Sequence, residues 1–160
     1  MEELLALGQT AGQLLMERHQ TIAVAESSAA GLISAALLSV PGASAYFVGG
    51  SVVYTRTSRT TLLDIPESAL EGIRASTEAY ALLLARSARA RLGTDWAIGE
   101  TGATGPAGNR YGDPAGHACL GVAGAAEAAR TLETGSADRL ANMYAFAAAA
   151  LRLFLEVAGR

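Results

Sequence analysis

A carboxylate and two hydroxyls follow the first short apolar run of the chain. The stretch "AVAESSAAGLISA", residues 23–35, places Glu26, Ser27 and Ser28 between that run and a second apolar segment. A serine in this position can cap a helix by accepting a hydrogen bond from a backbone N–H. The free N–H groups at a helix N-terminus can also bind phosphate or stabilise an oxyanion beside a nucleophile. Ser27 and Ser28 are therefore candidates for capping and for chemistry.

A second polar segment, "YTRTSR", contains a phenol and two guanidinium groups. Tyr54, Arg56 and Arg59 follow the apolar run "AYFVGGSVV". Arginines in such a position can pair with a phosphate, or they can form a solvated face of the protein. The segment is a candidate for binding an anion.

The third polar segment, "GATGPAGNRYGDPAG" over residues 102–116, is the richest in glycine. It contains neither the G-x-G-x-x-G pattern of dinucleotide-binding loops nor the terminal Gly-Lys of a P-loop. Thr101 precedes it, and glycines such as Gly102 and Gly105 either let the backbone approach a ligand closely or form turns. His117 follows the segment, where an imidazole is either structural or a general base.

Composition excludes several classes of mechanism. The twelve basic residues are all arginine, so the chain has no lysine to act as a general base or form a Schiff base. Two histidines and the single Cys119 show no metal-ligand spacing, and we predict neither a metal site nor a cofactor. The net charge of −3 without a basic run argues against direct contact with nucleic acid.

The same composition predicts a cytoplasmic protein that does not cross a membrane. The first residues, "MEELLALGQTAGQLLMERH", have amphipathic spacing and lack the basic start of a signal peptide. The apolar stretch near the C-terminus is interrupted by Arg152 and Glu156.

Helices and strands that position these segments alternate along the chain. Apolar periodicity and β-branched runs predict helices over residues 2–19, 29–39, 58–65, 76–91 and 138–157, with strands over 21–26, 45–55, 95–101, 117–124 and 128–135. Ser27 or Ser28 is expected to cap the second helix, and the last two strands to form a hairpin about Gly124. This order predicts an α/β three-layer sandwich with a mixed central sheet, in one domain over residues 1–160.

In open α/β sheets, ligands bind beyond the carboxyl ends of the strands. The three polar segments each follow a predicted strand. If those strands are parallel neighbours, the segments converge on one pocket.

Three segments in order, "AESSAAGL", "VPGASAYFVGGSVVYTRTSRTTLL" and "TGATGPAG…DPAG", resemble the CinA C-terminal domain family. The similarity covers nearly the whole chain. It implies an α/β/α sandwich that is commonly dimeric. The large N-terminal domain of full-length CinA proteins has no counterpart here, so the chain resembles the stand-alone form.

The resemblance also implies an activity and the residues that carry it. Members of the family are nicotinamide mononucleotide amidohydrolases, which release ammonia and leave nicotinic acid mononucleotide. Their serine nucleophile lies in Glu-Ser-Cys-Thr-Gly-Gly, and a tyrosine and a lysine come from Tyr-Ser-Asn-Glu-Ala-Lys. Matching positions in this chain imply Ser27 as the nucleophile, Tyr54 as the tyrosine and Arg59 at the lysine position.

This chain departs from the family pattern at several of these positions. A guanidinium at Arg59 cannot accept the proton of a serine. The Cys-Thr-Gly-Gly segment reads "SAAG", and the final helix keeps one arginine where family members often have two. The resemblance and the three polar segments together predict a substrate-binding set of Glu26, Ser28, Gly31, Arg56, Thr101, Gly102, Gly105 and Arg139.

Three hypotheses follow for function. In the first, the chain is an amidohydrolase whose base has been replaced, with His117, Glu26 and Glu100 as candidates. In the second, the pocket binds a nucleotide or related metabolite without hydrolysing it. In the third, only the fold persists, as a dimeric interaction module. The expected partners are a small-molecule nucleotide and a second copy of the chain.

Overall fold

The computed structural model describes residues 1–159 and places the apolar runs of the sequence in regular elements. Its α-helices are α1 (Glu2–Glu17), α2 (Leu32–Leu38), α3 (Arg56–Leu63), α4 (Glu78–Leu92) and α5 (Arg139–Ala158). Its strands are β1 (Ile22–Glu26), β2 (Phe47–Val52), β3 (Trp96–Ala103), β4 (His117–Ala123) and β5 (Ala128–Glu133). Short 3-10 turns cover Ala43–Ala45 and Glu67–Leu70.

The five strands form one mixed sheet in the order β2-β1-β3-β4-β5. Strand β1 is parallel to both β2 and β3, whereas β4 is antiparallel to β3 and to β5. The predicted hairpin between the last two strands is confirmed, with Val122 opposite Ala128 across the turn. The predicted α/β class with a mixed sheet is therefore confirmed.

Helices cover both faces of the sheet because its central strands are apolar on both sides. Along β1, Ile22 and Val24 face the core shared with α1, α2 and α5, while Ala23 and Ala25 face the core shared with α4. All five residues of this strand are buried. Such a double-sided strand reads as a continuous apolar run, as it does here.

Helix α4 lies directly on the sheet through two glycines. Gly99 of β3 and Gly121 of β4 are register partners. A Cβ atom on Gly99 would lie 2.0 Å from the carbonyl oxygen of Ala81, and one on Gly121 would lie 2.7 Å from the carbonyl carbon of the same residue. The pair therefore allows the helix backbone to touch the sheet, and it fixes the height of Tyr80, the residue before Ala81.

The predicted elements are confirmed in type and order, with boundaries that shift by a few residues. The largest shifts are in the second helix, which begins at Leu32 rather than residue 29, and in the second strand, which covers Phe47–Val52. The end of α4 is confirmed at Gly93, whose positive φ of 64° terminates the helix.

The predicted capping of α2 by Ser27 or Ser28 is wrong. Gly31, with a φ of 96°, holds the N-cap position and contributes no side-chain hydrogen bond. Residues 27–30 form a separate turn before the helix, so the two serines end too early to reach its first N–H groups. The first N–H groups of the helix donate instead to the carboxylate of Glu26.

Helix α5 is long and apolar enough to cross a membrane by length and composition, with a mean hydropathy of 1.4. Half of its apolar window is buried, and Phe146, Leu151 and Phe154 pack in the main core. A core helix meets the same criteria, so the expectation that the chain does not cross a membrane stays a prediction.

Candidate functional site

The carboxyl ends of β2, β1 and β3 open onto one cavity of about 350 Å³. Because these strands are parallel neighbours, the segments that follow them meet at the same edge of the sheet. The cavity is lined by Ser27, Val53, Tyr54, Thr55, Arg56, Arg59, Ala75, Tyr80, Thr101, Arg110 and Tyr111. The structure thus brings together five residues expected from the sequence: Ser27, Tyr54, Arg56, Arg59 and Thr101.

The turn that carries Ser27 is held by a buried carboxylate. Glu100 of β3 accepts hydrogen bonds from the backbone N–H groups of Ser27 at 2.9 Å and Ala29 at 2.8 Å. The hydroxyl of Ser28 donates to the other carboxylate oxygen. Burial is the largest effect on the pKa of Glu100 and raises it to about 7. The three hydrogen bonds lower this pKa, and the neighbouring Glu26 raises it. Glu100 therefore fixes the serine turn and titrates near neutral pH.

Glu26 organises the start of α2. Its carboxylate accepts hydrogen bonds from the N–H groups of Ile33 and Ser34, both at 3.0 Å, and from the Ser34 hydroxyl at 2.7 Å. The side chain is fully buried. It satisfies N–H groups of the first helical turn, which have no partner inside the helix.

Arg59 is the most buried cation of the cavity, with a side chain that is 8% exposed. It lies in α3, whose start is fixed by a capping box between Thr55 and Ser58. Its Nη2 donates to Glu67 at 3.0 Å, and its Nη1 lies 3.4 Å from the Tyr80 hydroxyl. Within residues 1–159, its buried Nε has no hydrogen-bond partner. Arg59 supplies a permanent positive charge to the cavity that it lines with Ser27 and Tyr54, but no proton acceptor.

A second cavity of about 310 Å³ continues the first and shares Arg56, Arg59, Ala75, Tyr80, Arg110 and Tyr111 with it. We call the two together the groove, with a serine half at Ser27 and a glutamate half at Glu67. Residues 67–75 form the wall of the glutamate half.

His117 lies outside the groove. Its Nδ1 contacts the carboxylate of Glu133, and its Nε2 lies 2.9 Å from the carbonyl oxygen of Ser76. Burial lowers the pKa of His117, but the hydrogen bonds to Glu133 and Ser76 and the charges of Glu133 and Asp113 outweigh burial and raise it. Both partners can only accept hydrogen bonds, so the geometry is that of an imidazolium rather than a free base.

Arg139 and the expected loop glycines do not line the groove. Arg139 donates to the carbonyl oxygen of Gly105 at 2.7 Å. Gly102 is paired with β4, where a Cβ would lie 2.5 Å from the His117 carbonyl oxygen. Neither glycine lines either cavity, and Gly31 lies at the start of α2. The structure therefore does not place these expected binding residues on the surface of the groove.

Sequence reasoning missed several residues of the groove: Glu67, Arg74, Tyr80, Arg110 and Tyr111. Arg110 and Tyr111 stand inside the glycine-rich segment, where a polar and aromatic pair was a usable signal. Glu67 and Tyr80 carry no such signal, because their placement depends on how α3 and α4 pack. Within the described residues, no group of three or more histidine, cysteine, aspartate and glutamate side chains could hold a metal ion.

A family model for the CinA C-terminal domain matches residues 5–158. The chain belongs to the CinA C-terminal domain family. Curated relatives agree: a CinA-like protein from Chlorobium limicola is 37% identical over 151 residues, and one from Parasynechococcus marenigrum is 42% identical over 111 residues. The matches cover 91% and 69% of this chain but only 35% and 26% of those proteins. The chain therefore spans about a third or less of the curated CinA-like proteins it matches.

Solved structures of the CinA superfamily share the fold along almost the whole chain. A competence/damage-inducible protein from Agrobacterium tumefaciens superposes with a TM-score of 0.90 at 24% identity, covering 99% of this chain and 96% of its own. A competence-damaged protein (CinA) superfamily protein from Escherichia coli gives 0.88 at 23% identity, covering 96% and 89%. At these identities the likeness establishes the CinA fold.

Proposed function

We propose that the chain is a CinA-like amidohydrolase that acts on nicotinamide mononucleotide, with Ser27 as nucleophile. The observation that carries the proposal is the position of Ser27. It lines a cavity with Tyr54 and Arg59, on a turn anchored by Glu100. We further propose a small-molecule nucleotide as substrate and a cytoplasmic homodimer as the working form.

The reaction would proceed through an acyl-enzyme. The Ser27 oxygen attacks the amide carbonyl carbon, and its proton passes to the amide nitrogen, which leaves as ammonia. Water then cleaves the ester and releases a carboxylate and the free serine. Arg59, a fixed cation of the groove, would hold the anionic part of the substrate.

Of the three candidate bases, we propose Glu100 as the proton acceptor because it is the one bonded to the serine turn. His117 lies outside the groove with both ring nitrogens hydrogen-bonded, and Glu26 is bonded to the start of α2. Both Glu100 oxygens are also engaged, so accepting the Ser27 proton requires the Ser28 hydroxyl to give up its hydrogen bond to Glu100. Glu100 is bound to the serine turn itself, and its pKa of about 7 leaves part of the population ionised at neutral pH. A base with such a pKa is well matched to neutral conditions.

A second candidate function is nucleotide binding without hydrolysis. Arg59 favours it, because the resemblance implies a lysine there and a guanidinium cannot take the serine proton. The ion pair with Glu67 holds that guanidinium as a fixed cation. The groove would then bind a nucleotide without hydrolysing it.

Ammonia release from nicotinamide mononucleotide tests the proposed reaction. We expect the purified protein to release ammonia, and Ser27→Ala to fall to background because the attacking oxygen is gone. Ser44→Ala is the matched control, since Ser44 is exposed in a turn that lines neither half of the groove. In the same assay, Arg59→Lys tests the lysine position itself: a rise of about tenfold or more would show that the missing amine limits the rate and that Glu100 is not the principal proton acceptor.

Thermal unfolding with nicotinamide mononucleotide separates the two candidates. A ligand that binds the folded state raises the unfolding temperature whether or not it reacts. Stabilisation without ammonia would reject hydrolysis and support the second candidate. The absence of both would reject both.

A further inference from the structure

The glutamate half of the groove carries an excess of positive charge in an acidic protein. Four guanidinium groups stand here, those of Arg56, Arg59, Arg74 and Arg110. They face two carboxylates, Glu67 and Asp113, which leaves an excess of two positive charges, while the chain has a net charge of −3. A concave surface with this local charge attracts an anionic group.

Glu67 bridges two of these arginines. One of its oxygens lies 3.0 Å from Nη2 of Arg59 and 3.3 Å from Nε of Arg56. The other lies 3.0 Å from Nη2 of Arg56. Both carboxylate oxygens are therefore engaged by guanidinium donors, in the manner in which arginines hold phosphate and carboxylate groups.

Glu67 does not provide an acceptor for every N–H group of Arg56 and Arg59, as the buried Nε of Arg59 shows. The Arg59 side chain is 8% exposed, yet its Nε has no hydrogen-bond partner in the described part of the chain. A carboxylate has two oxygens, and both are already engaged. A phosphoryl group offers three terminal oxygens and a second negative charge, so it fits the donors better.

The two carboxylates differ in how easily they can be displaced. Asp113 is bound by both Nη atoms of Arg74, at 2.7 and 3.0 Å, and also by Asn109 at 2.8 Å. The Arg74 hydrogen bond leads the contacts that lower the pKa of Asp113 to about 2, so it stays charged and paired. Glu67 is 59% exposed on a short 3-10 turn. Glu67 can leave its partners by rotating into solvent.

Aromatic rings flank the same cations. The guanidinium carbons of Arg74 and Arg110 lie 5.2 and 5.0 Å from the centre of the Tyr111 ring, and that of Arg59 lies 6.0 Å from the Tyr80 ring. These contacts keep the cations in place beside flat apolar surfaces.

We infer that the glutamate half of the groove is a binding subsite for the phosphoryl group of a phosphate monoester, and that Glu67 is an internal anion which this group displaces. Arg59 and Arg56 are the principal ligands, and the Nε of Arg59 gains an acceptor. The inference deepens the proposed function, because it names where the phosphate of a mononucleotide lies while its amide faces Ser27.

Calorimetric titration with inorganic phosphate and with phenyl phosphate tests the subsite directly. We expect Glu67→Gln to bind both probes about tenfold more tightly than the parent protein, because the competing charge is gone. Glu71→Gln is the matched control: Glu71 is an exposed glutamate of the same segment that lines neither half of the groove. It should leave the affinity within about twofold.

A double variant shows whether the gain acts through Arg59. In Arg59→Met/Glu67→Gln the gain should be lost, since the released donors are absent. Equal affinity in Glu67→Gln and the parent would overturn the inference. So would an equal gain in Glu71→Gln, which would indicate a general charge effect, or a gain that persists without Arg59. Circular dichroism checks that each variant is folded.

The inference and the proposed function fail in distinguishable ways. Phosphate binding does not need the serine, so Ser27→Ala should bind both probes like the parent protein. Tighter phosphate binding by Glu67→Gln without any ammonia release would reject only the hydrolysis. Ammonia release without a Glu67 effect on phosphate would reject only the subsite.

Discussion

Two fully buried glutamates lie on adjacent strands of the sheet, and each accepts hydrogen bonds from a different stretch of backbone. Glu26 at the end of β1 accepts three hydrogen bonds from the start of α2. Glu100 in β3 accepts three from the serine turn. In the sequence both are candidate bases. Their partners show that each organises a stretch of backbone, and only Glu100 is attached to the turn with the proposed nucleophile.

Replacing Glu100 by glutamine should change how folding stability depends on pH. The carboxyl has a pKa of about 7 when folded against 4.5 when exposed. Between these values the folded state keeps a proton that the unfolded state has lost, so this group makes stability fall as pH rises. Glu100→Gln should remove that fall, because the amide does not ionise. Denaturant unfolding at several pH values across this window measures the difference.

The geometry explains why Glu100→Gln should fold. The amide oxygen can accept from the two backbone N–H groups, and the amide nitrogen can donate to the Ser28 hydroxyl, which rotates to accept. An unchanged pH dependence in the variant would show that Glu100 does not titrate in this window. If Glu100 is the proton acceptor, the same variant should also lose ammonia release.

At the scale of the element, α2 shows how a helix can begin without the expected cap. A serine or threonine next to a predicted helix start usually indicates its N-cap. Here the N-cap residue Gly31 has no side chain to accept a hydrogen bond. The carboxylate of Glu26, in the preceding strand, accepts hydrogen bonds from the N–H groups of Ile33 and Ser34 instead. Its negative charge at the helix N-terminus is also favourable.

Glu26→Gln should destabilise the protein by about 1–3 kcal/mol, although the same change at Glu100 should be tolerated. Both Glu26 oxygens accept from backbone N–H groups, so either orientation of the glutamine places its NH₂ against a donor. Thermal and urea unfolding of the two glutamine variants make a direct comparison. Equal stability would show that the Glu26 hydrogen bonds contribute little to folding.

The elements were predictable from the sequence because each has a local signature. Thr77 begins α4 by accepting a hydrogen bond from the Tyr80 N–H, Gly93 ends the helix, and the β-branched run before Glu26 forms a strand. Parallel neighbours then required the Ser27 and Tyr54 segments to meet. Other features of the site have no local signature. The hydrogen bonds of Glu100 to the turn after the neighbouring strand, the burial of Arg59 and the position of His117 outside the groove all arise from packing between distant segments.

At the scale of the whole molecule, the distance between sheet and helix layer depends on Gly99 and Gly121. We expect Gly99→Ala to destabilise the protein by about 3 kcal/mol, because the added Cβ meets helix backbone, which cannot rotate away. Gly49→Ala is the matched control. Its Cβ would lie 3.2 Å from the end of the Leu92 side chain, which can move, so the loss should stay below about 1 kcal/mol.

Urea unfolding of the two alanine variants measures these losses. Similar losses in the free energy of unfolding for Gly99→Ala and Gly49→Ala would show that α4 can move away from the sheet without much loss of stability.

This close contact also determines how the groove can adapt to ligands of different size. Tyr80 stands next to Ala81, whose carbonyl group rests on the glycine pair, so this wall cannot move without lifting the helix from the sheet. The opposite wall is the 3-10 turn Glu67–Leu70, in which no residue is buried. A bulkier ligand must therefore be admitted by displacement of the turn. Discrimination between ligands by size then depends on this turn, in which Glu67 and Ser68 are exposed while Ala69 and Leu70 pack half-buried against the core.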